Sequence, residues 1–304
     1  MTSSNVFRSQ SYKMGQGPPY KFLQSNLTKP VIPPKGISLA GQIAIVTGGN
    51  VGLGFACCDW LLSLGLFKLI IAVRTPSKGD AAATKLRKKY PNTNIEVWQV
   101  DMLSYASIQS FAARCATLTR LDLAILNAGL MKQQFDIGPE GHEESFQVNY
   151  LSTALLAMLL LPTLKSKSLP EKPGRLTIVS SAAAIGAKYH HRNERPYLPT
   201  FSNKALWDPI ENYSATKGII HFWLVKIVEI VKADDVVINL VDPGLVKGTS
   251  LHQGTNHFVQ AVFGVVKVAL GRSLEVGSST FVDAAIVKGP ESHGCFVQDW
   301  NIAS

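Results

Sequence analysis

Short, continuous runs of Val, Ile and Leu alternate along this chain with longer stretches of helical character, and this alternation constrains the fold more than any other feature. Uninterrupted apolar runs are typical of strands that a parallel sheet buries on both faces. The predicted strands are Ile43–Val46, Leu69–Val73, Ile95–Val100, Leu123–Leu126, Leu176–Val179 and Val236–Val241. Strands that alternate with helices in this way predict a single doubly wound α/β domain with a parallel sheet.

A cluster of glycines, TGGNVGLG at 47–54, lies between the first predicted strand and a predicted helix. Glycine permits a tight turn there and lets backbone N–H groups approach a pyrophosphate at the helix N-terminus. An ordinary strand-to-helix turn would also accept glycines, but a dinucleotide site belongs after the first strand of such a sheet. The cluster therefore predicts a dinucleotide-binding domain of the Rossmann type over residues 41–304.

The end of the second predicted strand carries a basic residue where many dinucleotide-binding domains have an acidic one. Arg74 follows this strand, twenty residues after Gly54, and no carboxylate is available at the strand end. A free ribose 2′-hydroxyl usually meets Asp or Glu at this point, whereas Arg74, with Lys78, suits a 2′-phosphate. A solvated arginine leading into a helix is the plainer interpretation. The pattern favours NADP(H) over NAD(H).

Tyr213 and Lys217 are four residues apart on the predicted helix Tyr213–Val231. Residues at this spacing share a helix face, so the hydroxyl and the ammonium group can address one site. A neighbouring cation favours tyrosinate and lowers the tyrosine pKa towards the working pH, which would make Tyr213 a usable acid or base. The YxxxK spacing is common by chance, so its weight comes from the other motifs.

Several motifs occur together in one order along the chain. They are TGGNVGLG at 47–54, NAG at 127–129, the serine pair at 180–181, YSATK at 213–217 and PG at 243–244. In this combination the chain closely resembles the short-chain dehydrogenase/reductase family over about residues 38–300. The resemblance implies an oxidoreductase that interconverts a ketone or aldehyde and an alcohol.

The amino-acid sequences of three segments resemble one branch of that family in more detail. The segments are VRTPSKG at 73–79, FQVNYLST at 146–153 and ESHG at 291–294. They are most similar to the NADP-dependent branch that includes retinol dehydrogenase-like enzymes, and within it to fungal members often placed in secondary-metabolite pathways. By this analogy the cofactor would be NADP(H) and the substrate a small apolar metabolite.

The resemblance also implies roles for individual residues. Tyr213 would be the general acid, and Lys217 would lower its pKa and bind the nicotinamide ribose. Ser181, rather than Ser180, would hold the substrate carbonyl, and Asn149 would support a proton-relay water. The residues implied to bind cofactor are Gly48, Asn50, Gly52, Leu53 and Gly54 in the phosphate turn, Arg74 and Lys78 after the second strand, Asp101 and Met102 at the adenine, Asn127, Ala128 and Gly129 at the adenosine ribose and central sheet, and Pro243, Gly244 and Val246 at the nicotinamide, together with Tyr213 and Lys217.

Two features depart from the family pattern. The family commonly has Ser or Thr four residues after the glycine of PG, whereas this chain has Gly248 there, with Thr249 and Ser250 just beyond. Either the loop shifts by one residue or that cofactor contact is missing. The second feature is a polar insertion at 188–210, ahead of Tyr213. It would cover the pocket or obstruct the helix pair that joins many family dimers, so the oligomeric state stays open.

The insertion contains four aromatic residues, Tyr189, Tyr197, Phe201 and Trp207. They could line a bulky apolar substrate site. They could equally pack the insertion onto its own scaffold.

Composition and charge exclude other classes of partner. Lys and Arg number 30 against 21 Asp and Glu, a net charge of +9. Residues 1–40 hold five basic residues and five prolines but no acidic residue, which predicts a leader ahead of the domain. A surplus carried largely by such an arm is not typical of a DNA-binding groove, so a small-molecule substrate is expected and a nucleic acid is not.

The four cysteines form no disulfide framework, and no Cys or His spacing suggests a metal site. No apolar run reaches the roughly 18–20 residues of a membrane span, and the N-terminus lacks a signal pattern. The sequence therefore predicts a reduced, cytoplasmic protein without an integral membrane segment or a metal.

Three hypotheses about function remain open from the sequence. The leading one is NADP(H)-dependent redox chemistry at a carbonyl or alcohol. The second is non-redox work on the same fold, such as isomerisation or cyclisation, and the third is a catalytically silent binding or regulatory subunit. The presence of Ser181, Tyr213 and Lys217 argues against the last two.

Overall fold

The fold is built around one eight-stranded sheet. The computed structural model describes residues 25, 27–31, 36–169, 171–248 and 271–303. The strands are β1 (Ile43–Thr47), β2 (Lys68–Val73), β3 (Asn94–Gln99), β4 (Leu123–Leu126), β5 (Gly174–Val179), β6 (Val236–Val241), β7 (Phe296–Gln298) and β8 (Asn301–Ile302). Their order is β3-β2-β1-β4-β5-β6-β7-β8, and every neighbouring pair except β7 and β8 is parallel.

All six strands expected from the sequence are present, each within a residue or two of its expected bounds. Strands β7 and β8 were not predicted from the sequence, because they are only three and two residues long and form no apolar run. They make an antiparallel hairpin at the sheet edge. Its turn consists of Asp299 and Trp300, with φ values of 52° and 59°, which non-glycine residues seldom adopt.

Six helices connect the strands in the described part of the chain. They are α1 (Gly52–Ser63), α2 (Pro76–Lys89), α3 (Tyr105–Ala116), α4 (Glu144–Lys167), α5 (Pro209–Ile227) and α6 (Leu274–Val282). The expected bounds of α5, Tyr213–Val231, are wrong at both ends. The helix begins earlier because the Asp208 carboxylate accepts the N–H groups of Ile210 and Glu211 at 3.0 and 2.7 Å. This N-cap was not predicted from the sequence.

Helices cover both faces of the sheet, as a doubly wound fold requires. One core cluster joins the sheet to α3, α4 and α5, through residues such as Phe111, Leu160 and Leu224. A second joins the opposite face to α1, α2 and α6, through residues such as Leu61 and Phe281. The strands are buried from both sides, which is the physical reason for their continuous apolar sequences.

Helix α4 is the one described helix long and apolar enough to cross a membrane by length and composition. Two-thirds of its most apolar window is buried inside the fold, at 67%. Leu156, Leu160 and Leu164 are fully buried against the sheet, so the apolar sequence of α4 is accounted for by its place in the core.

The insertion at 188–210 packs against α5 through short 3₁₀ turns, Leu198–Ser202 and Lys204–Leu206. A β-carbon added to Gly218 of α5 would lie 1.8 Å from the Tyr189 hydroxyl oxygen, so Tyr189 rests directly on the helix backbone. Phe201 stacks on Phe146 of α4, with ring centroids 4.7 Å apart. The insertion thereby builds a small core of its own.

Most of the predicted leader lies outside the described residues. Within the described part, Ser25 is buried and its hydroxyl donates to the Asp299 carboxylate at 2.6 Å. Leu39 is also buried, and its N–H donates to the carbonyl of Leu64 at the end of α1. The boundary at residue 40 therefore stays a prediction. Thr249 and Ser250 also lie outside the described residues.

Candidate active site

The carboxyl ends of the parallel strands lie along one edge of the sheet, and the strand order reverses between β1 and β4. In folds of this kind the crevice outside that edge is where ligands bind. The motifs that the sequence analysis selected follow the carboxyl ends of β1, β2, β4, β5 and β6. The fold therefore brings them to one edge.

The glycine turn after β1 has the geometry of a phosphate-binding turn. A β-carbon on Gly54 would lie 2.3 Å from the carbonyl oxygen of Gly48, so only glycine permits this close approach of α1 to β1. Gly52 has a φ of 56° and open space at its β-carbon position. Val51 gives α1 no side-chain cap, and the first turn holds no acidic residue. These features fit a dinucleotide pyrophosphate at the N-terminus of α1.

The loop after β4 is bonded to the glycine turn. The Asn127 amide donates to the carbonyl of Thr47 at 2.9 Å, and the N–H of Ala128 donates to the Thr47 hydroxyl, also at 2.9 Å. These bonds fix the two loops across the switch point. In this structure Asn127 and Ala128 therefore support the walls of the cofactor crevice.

Arg74 follows β2 directly, and both Arg74 and Lys78 are exposed at this strand end. After β3, Asp101 stabilises its own turn, because its carboxylate accepts the N–H of Leu103 at 3.0 Å. The Met102 side chain lies in the core cluster, and its carbonyl accepts the Ser152 hydroxyl at 2.6 Å. The adenine contacts expected of Asp101 and Met102 stay predictions.

Ser181, Tyr213 and Lys217 come together at the carboxyl edge. Ser181 follows β5, and its side chain lies close enough to that of Tyr213 to lower the pKa of the tyrosine hydroxyl. Helix α5 carries both Tyr213 and Lys217, which are 8% and 5% exposed. The Lys217 ammonium donates to the carbonyl of Val179 at 2.8 Å. The expected catalytic group is therefore assembled and shielded from water.

Burial dominates the ionisation of these groups and corrects one expectation. Desolvation raises the pKa of Tyr213 to about 12, against a smaller lowering by the hydrogen bond from Ser181. Burial also lowers the pKa of Lys217 to about 8. The expectation that Lys217 brings the pKa of Tyr213 down is wrong for this structure. Its physical reason is that both groups lose hydration while the ammonium is directed at Val179.

Asn149 lies in a π-helical segment of α4, Gln147–Ser152. Its side chain pairs with the backbone of Leu130, accepting the N–H at 2.9 Å and donating to the carbonyl at 2.8 Å. A β-carbon on Gly129 would lie 3.1 Å from the Asn149 amide oxygen and 3.2 Å from the Lys217 nitrogen. Asn149 therefore lies beside the same glycine as Lys217, and the proton-relay role expected of it stays a prediction.

The loop after β6 holds Pro243, Gly244 and Val246. Val246 bridges to Arg272 as a short parallel pair, and the Arg272 guanidinium donates to the carbonyl of Pro243 at 3.1 Å. Gly248 has a φ of 80°, a conformation that disfavours the Ser or Thr of the family pattern. The structure thus gives a backbone reason for glycine at this departure.

Leu53 packs with Val246 around Gly277 of α6, where a β-carbon would lie 2.9 and 2.7 Å from their methyl groups. Their role in the structure is to hold the phosphate turn, the β6 loop and α6 together. Asn50 lies in the glycine turn between β1 and α1, partly exposed.

Three polar residues of this region, Ser180, His221 and Asp242, were given no role from the sequence. The Ser180 hydroxyl donates to the carbonyl of Lys217 at 3.1 Å and lies 2.9 Å from the His221 ring nitrogen. Burial, reinforced by the charge of Lys217, lowers the pKa of His221 to about 4. Asp242 is 1% exposed directly after β6. A carboxylate at the end of an apolar strand was the available signal for Asp242.

The insertion's aromatic residues divide between two places. Tyr189 and Tyr197 line a cavity of about 390 Å³ together with Phe222 of α5. Phe222 is nine residues after Tyr213, half a rotation round the helix, so this cavity lies on the side of α5 away from Tyr213. Trp207 instead contacts Phe135, beyond the β4 loop, with ring centroids 5.9 Å apart. Between residues 188 and 197 the insertion covers the outer side of α5.

No group of three or more His, Cys, Asp or Glu residues within the described ranges is arranged to hold a metal ion. The four cysteines are all buried, and none of them forms a disulfide.

Comparison with known proteins places this arrangement in a family. The model of the short chain dehydrogenase family matches residues 42–193. A short chain dehydrogenase/reductase, mfmJ of Annulohypoxylon moriforme, is 50% identical over 287 residues, 93% of this chain and 83% of the relative. The chain belongs to the short-chain dehydrogenase/reductase family. The family expected from the sequence is confirmed, and the named relatives come from fungi.

A second relative and a solved structure show the same family likeness. The short chain dehydrogenase virL of Hypocrea virens is 41% identical over 286 residues, 92% of this chain and 83% of the relative. The Pseudomonas aeruginosa RhlG/NADP active-site complex superposes with a TM-score of 0.59 at 23% identity, covering 80% of this chain and 88% of that one. At this identity the superposition shows the shared fold. As a member of this family the protein is an oxidoreductase.

Proposed function

We propose that this short-chain dehydrogenase/reductase uses NADP(H) to interconvert a ketone or aldehyde and an alcohol on a small apolar metabolite. The observation that carries the proposal is the grouping of Ser181 with the buried Tyr213 and Lys217, at the edge of the sheet where the phosphate turn also lies. These three groups supply a proton donor, a partner for the substrate oxygen and a cation in one enclosed place.

The roles of the chain's own residues follow from their ionisation. Tyr213, with a pKa of about 12, is protonated at neutral pH and can donate its proton to a carbonyl oxygen. Ser181 is placed to bind the same oxygen and hold it in line with Tyr213. A bound nicotinamide supplies or accepts hydride at the substrate carbon. Lys217 and Asn149 border the space through which Tyr213 would regain a proton.

The choice of NADP(H) rests on Arg74 and Lys78. Both are exposed immediately beyond β2, the position from which a dinucleotide-binding domain contacts the adenosine ribose. A guanidinium there can pair with a 2′-phosphate through two hydrogen bonds. The RhlG complex, whose description includes NADP, is consistent with this choice.

The biological setting is a further part of the proposal. Relatives such as mfmJ and virL come from fungi, and we place this enzyme among those that modify secondary metabolites. We place it in the cytoplasm, since its four cysteines are buried thiols outside any disulfide, of the kind that a reducing compartment preserves.

The test is a pair of titrations with NADPH and NADH, followed by quenching of tryptophan fluorescence. We expect NADPH to bind more tightly, and Arg74→Ser to weaken NADPH roughly 10–100-fold, the worth of a charge-assisted hydrogen bond, with little change for NADH. Lys88→Ser, an equal loss of charge at the far end of α2, is the matched control and should change neither. Equal affinities for the two cofactors in the wild type would contradict the 2′-phosphate assignment.

Turnover is tested separately with NADPH and a panel of small apolar ketones and aldehydes. Tyr213→Phe should abolish reduction while leaving NADPH binding within about twofold, because it removes only the hydroxyl. Failure of the wild type to bind either cofactor would favour the non-redox hypothesis instead.

A further inference from the structure

Asp242 is a fully buried carboxylate at the candidate active site, and the proposed chemistry assigns it no role. It follows β6 directly and is 1% exposed. A buried carboxylate is costly unless hydrogen bonds and charges compensate for its lost hydration. Its partners therefore indicate what this residue does.

Those partners belong to both loops that frame the reacting groups. The Asp242 carboxylate accepts the N–H of Ala182 at 3.0 Å, and Ala182 directly follows Ser181. The N–H of Gly244, in the loop after β6, also stabilises the charge of this carboxylate, and the Gln298 side-chain amide donates to it at 3.5 Å. One side chain thus ties the segment that carries Ser181 to the Pro243–Gly244 loop.

The charges around Asp242 come from three elements. Arg272, ahead of α6, lowers the pKa of Asp242, whereas Asp299 in the β7–β8 turn raises it. Burial outweighs both and brings the pKa to about 6, so the carboxylate is ionised at neutral pH. From α5, Tyr213 faces this charge, which raises the pKa of its hydroxyl.

We propose that Asp242 is a positioning residue that fixes Ser181 relative to the Pro243–Gly244 loop and holds a negative charge beside Tyr213. The bond to Ala182 sets where the Ser181 backbone lies, and the bond to Gly244 sets the loop expected to face the nicotinamide. The charge disfavours tyrosinate and keeps Tyr213 as an acid. This last consequence rests on the proposed function, whereas the two bonds do not.

The bonds can be tested without any substrate. In an amide ¹H–¹⁵N NMR titration of the wild-type protein, the signals of Ala182 and Gly244 should shift together with a common midpoint near the pKa of Asp242, about 6. Asp242→Asn keeps an oxygen acceptor but loses the charge, so both shifts should disappear. Signals that ignore pH in the wild type, or that still titrate in Asp242→Asn, would overturn the positioning role whatever the enzyme turns over.

The charge is tested by the rates of alcohol oxidation and carbonyl reduction at pH 9. Alcohol oxidation needs deprotonated Tyr213, so in Asp242→Asn its rate relative to reduction should rise severalfold, because removing a nearby negative charge makes Tyr213 more acidic. Asp122→Asn is the matched control, since Asp122 is a buried carboxylate at the opposite end of the sheet, before β4, bonded to the N–H of Ile43. An unchanged ratio in Asp242→Asn would refute the electrostatic role. Absence of reduction in the wild type, with both amides still titrating, would refute the proposed function alone.

Discussion

His221 should make the stability of this protein depend on pH in a way that one substitution removes. Burial lowers its pKa from 6.5 to about 4 in the folded protein. Below pH 6.5 the unfolded chain therefore binds a proton that the folded protein refuses, so stability is lost as the pH falls. Between pH 7 and pH 5 this difference amounts to about 2 kcal/mol of the free energy of unfolding.

The perturbation is His221→Gln, which keeps a polar nitrogen near the Ser180 hydroxyl, 2.9 Å from the histidine ring nitrogen. Urea unfolding followed by tryptophan fluorescence at pH 7 and at pH 5 gives the free energy in each case. The wild type should lose about 2 kcal/mol more than the variant between the two conditions. Asp242, whose raised pKa has the opposite sign of effect, contributes equally to both proteins and cancels in the comparison.

His190→Gln is the control for loss of an imidazole, because His190 is exposed on the insertion. It should follow the wild type at both pH values. If His221→Gln and the wild type lose the same free energy on acidification, the buried neutral state of His221 is wrong.

Three further predictions concern the phosphate turn, an ion pair at the edge of the sheet and the proton donor Tyr213. Gly54→Ala should weaken NADPH binding at least tenfold by overpacking the phosphate turn, whereas Gly186→Ala, with nothing within 4 Å of its β-carbon, should not, as fluorescence titration will show. Arg272→Leu should lower the free energy of unfolding by about 3–5 kcal/mol in urea melts, since it removes the buried ion-pair partner of Asp299 and the donors to the carbonyls of Pro243 and Ser25, while Lys226→Ala, in an exposed ion pair, should stay within about 0.5 kcal/mol of the wild type. In Asp242→Asn, which lacks the carboxylate that titrates near pH 6, the kcat of reduction should stay level from pH 6 to pH 7.5, because Tyr213 is protonated throughout; a fall with a midpoint in that range would contradict a pKa of about 12.

The sequence allowed the sheet and the positions of the site motifs to be predicted because both are encoded locally. A strand buried on two faces is apolar throughout, and Gly54 is required by contact with a turn only six residues away. Short edge strands such as Phe296–Gln298 carry no such pattern. The insertion's packing on Gly218 depends on how a long polar segment folds back, which no local pattern specifies.

Long-range contacts account for the rest. Asp242 and Ala182 are sixty residues apart in the chain, and their bond exists only because β5 and β6 are neighbours in the sheet. The pKa of Tyr213 failed as an expectation for a related reason. The i to i+4 spacing to Lys217 is visible in the sequence, whereas the desolvation that outweighs it is a property of the folded interior.

The order of these pKa values bears on the direction of the reaction. Lys217 loses its proton at about pH 8 and Tyr213 only at about pH 12, so near neutrality both are protonated. A protonated tyrosine can give a proton to a carbonyl oxygen but cannot take one from an alcohol. Under the proposed function we therefore expect carbonyl reduction to be favoured at neutral pH, and alcohol oxidation to accelerate as the pH rises. Rates of the two directions, compared between pH 7 and pH 9, would contradict this if oxidation did not gain relative to reduction.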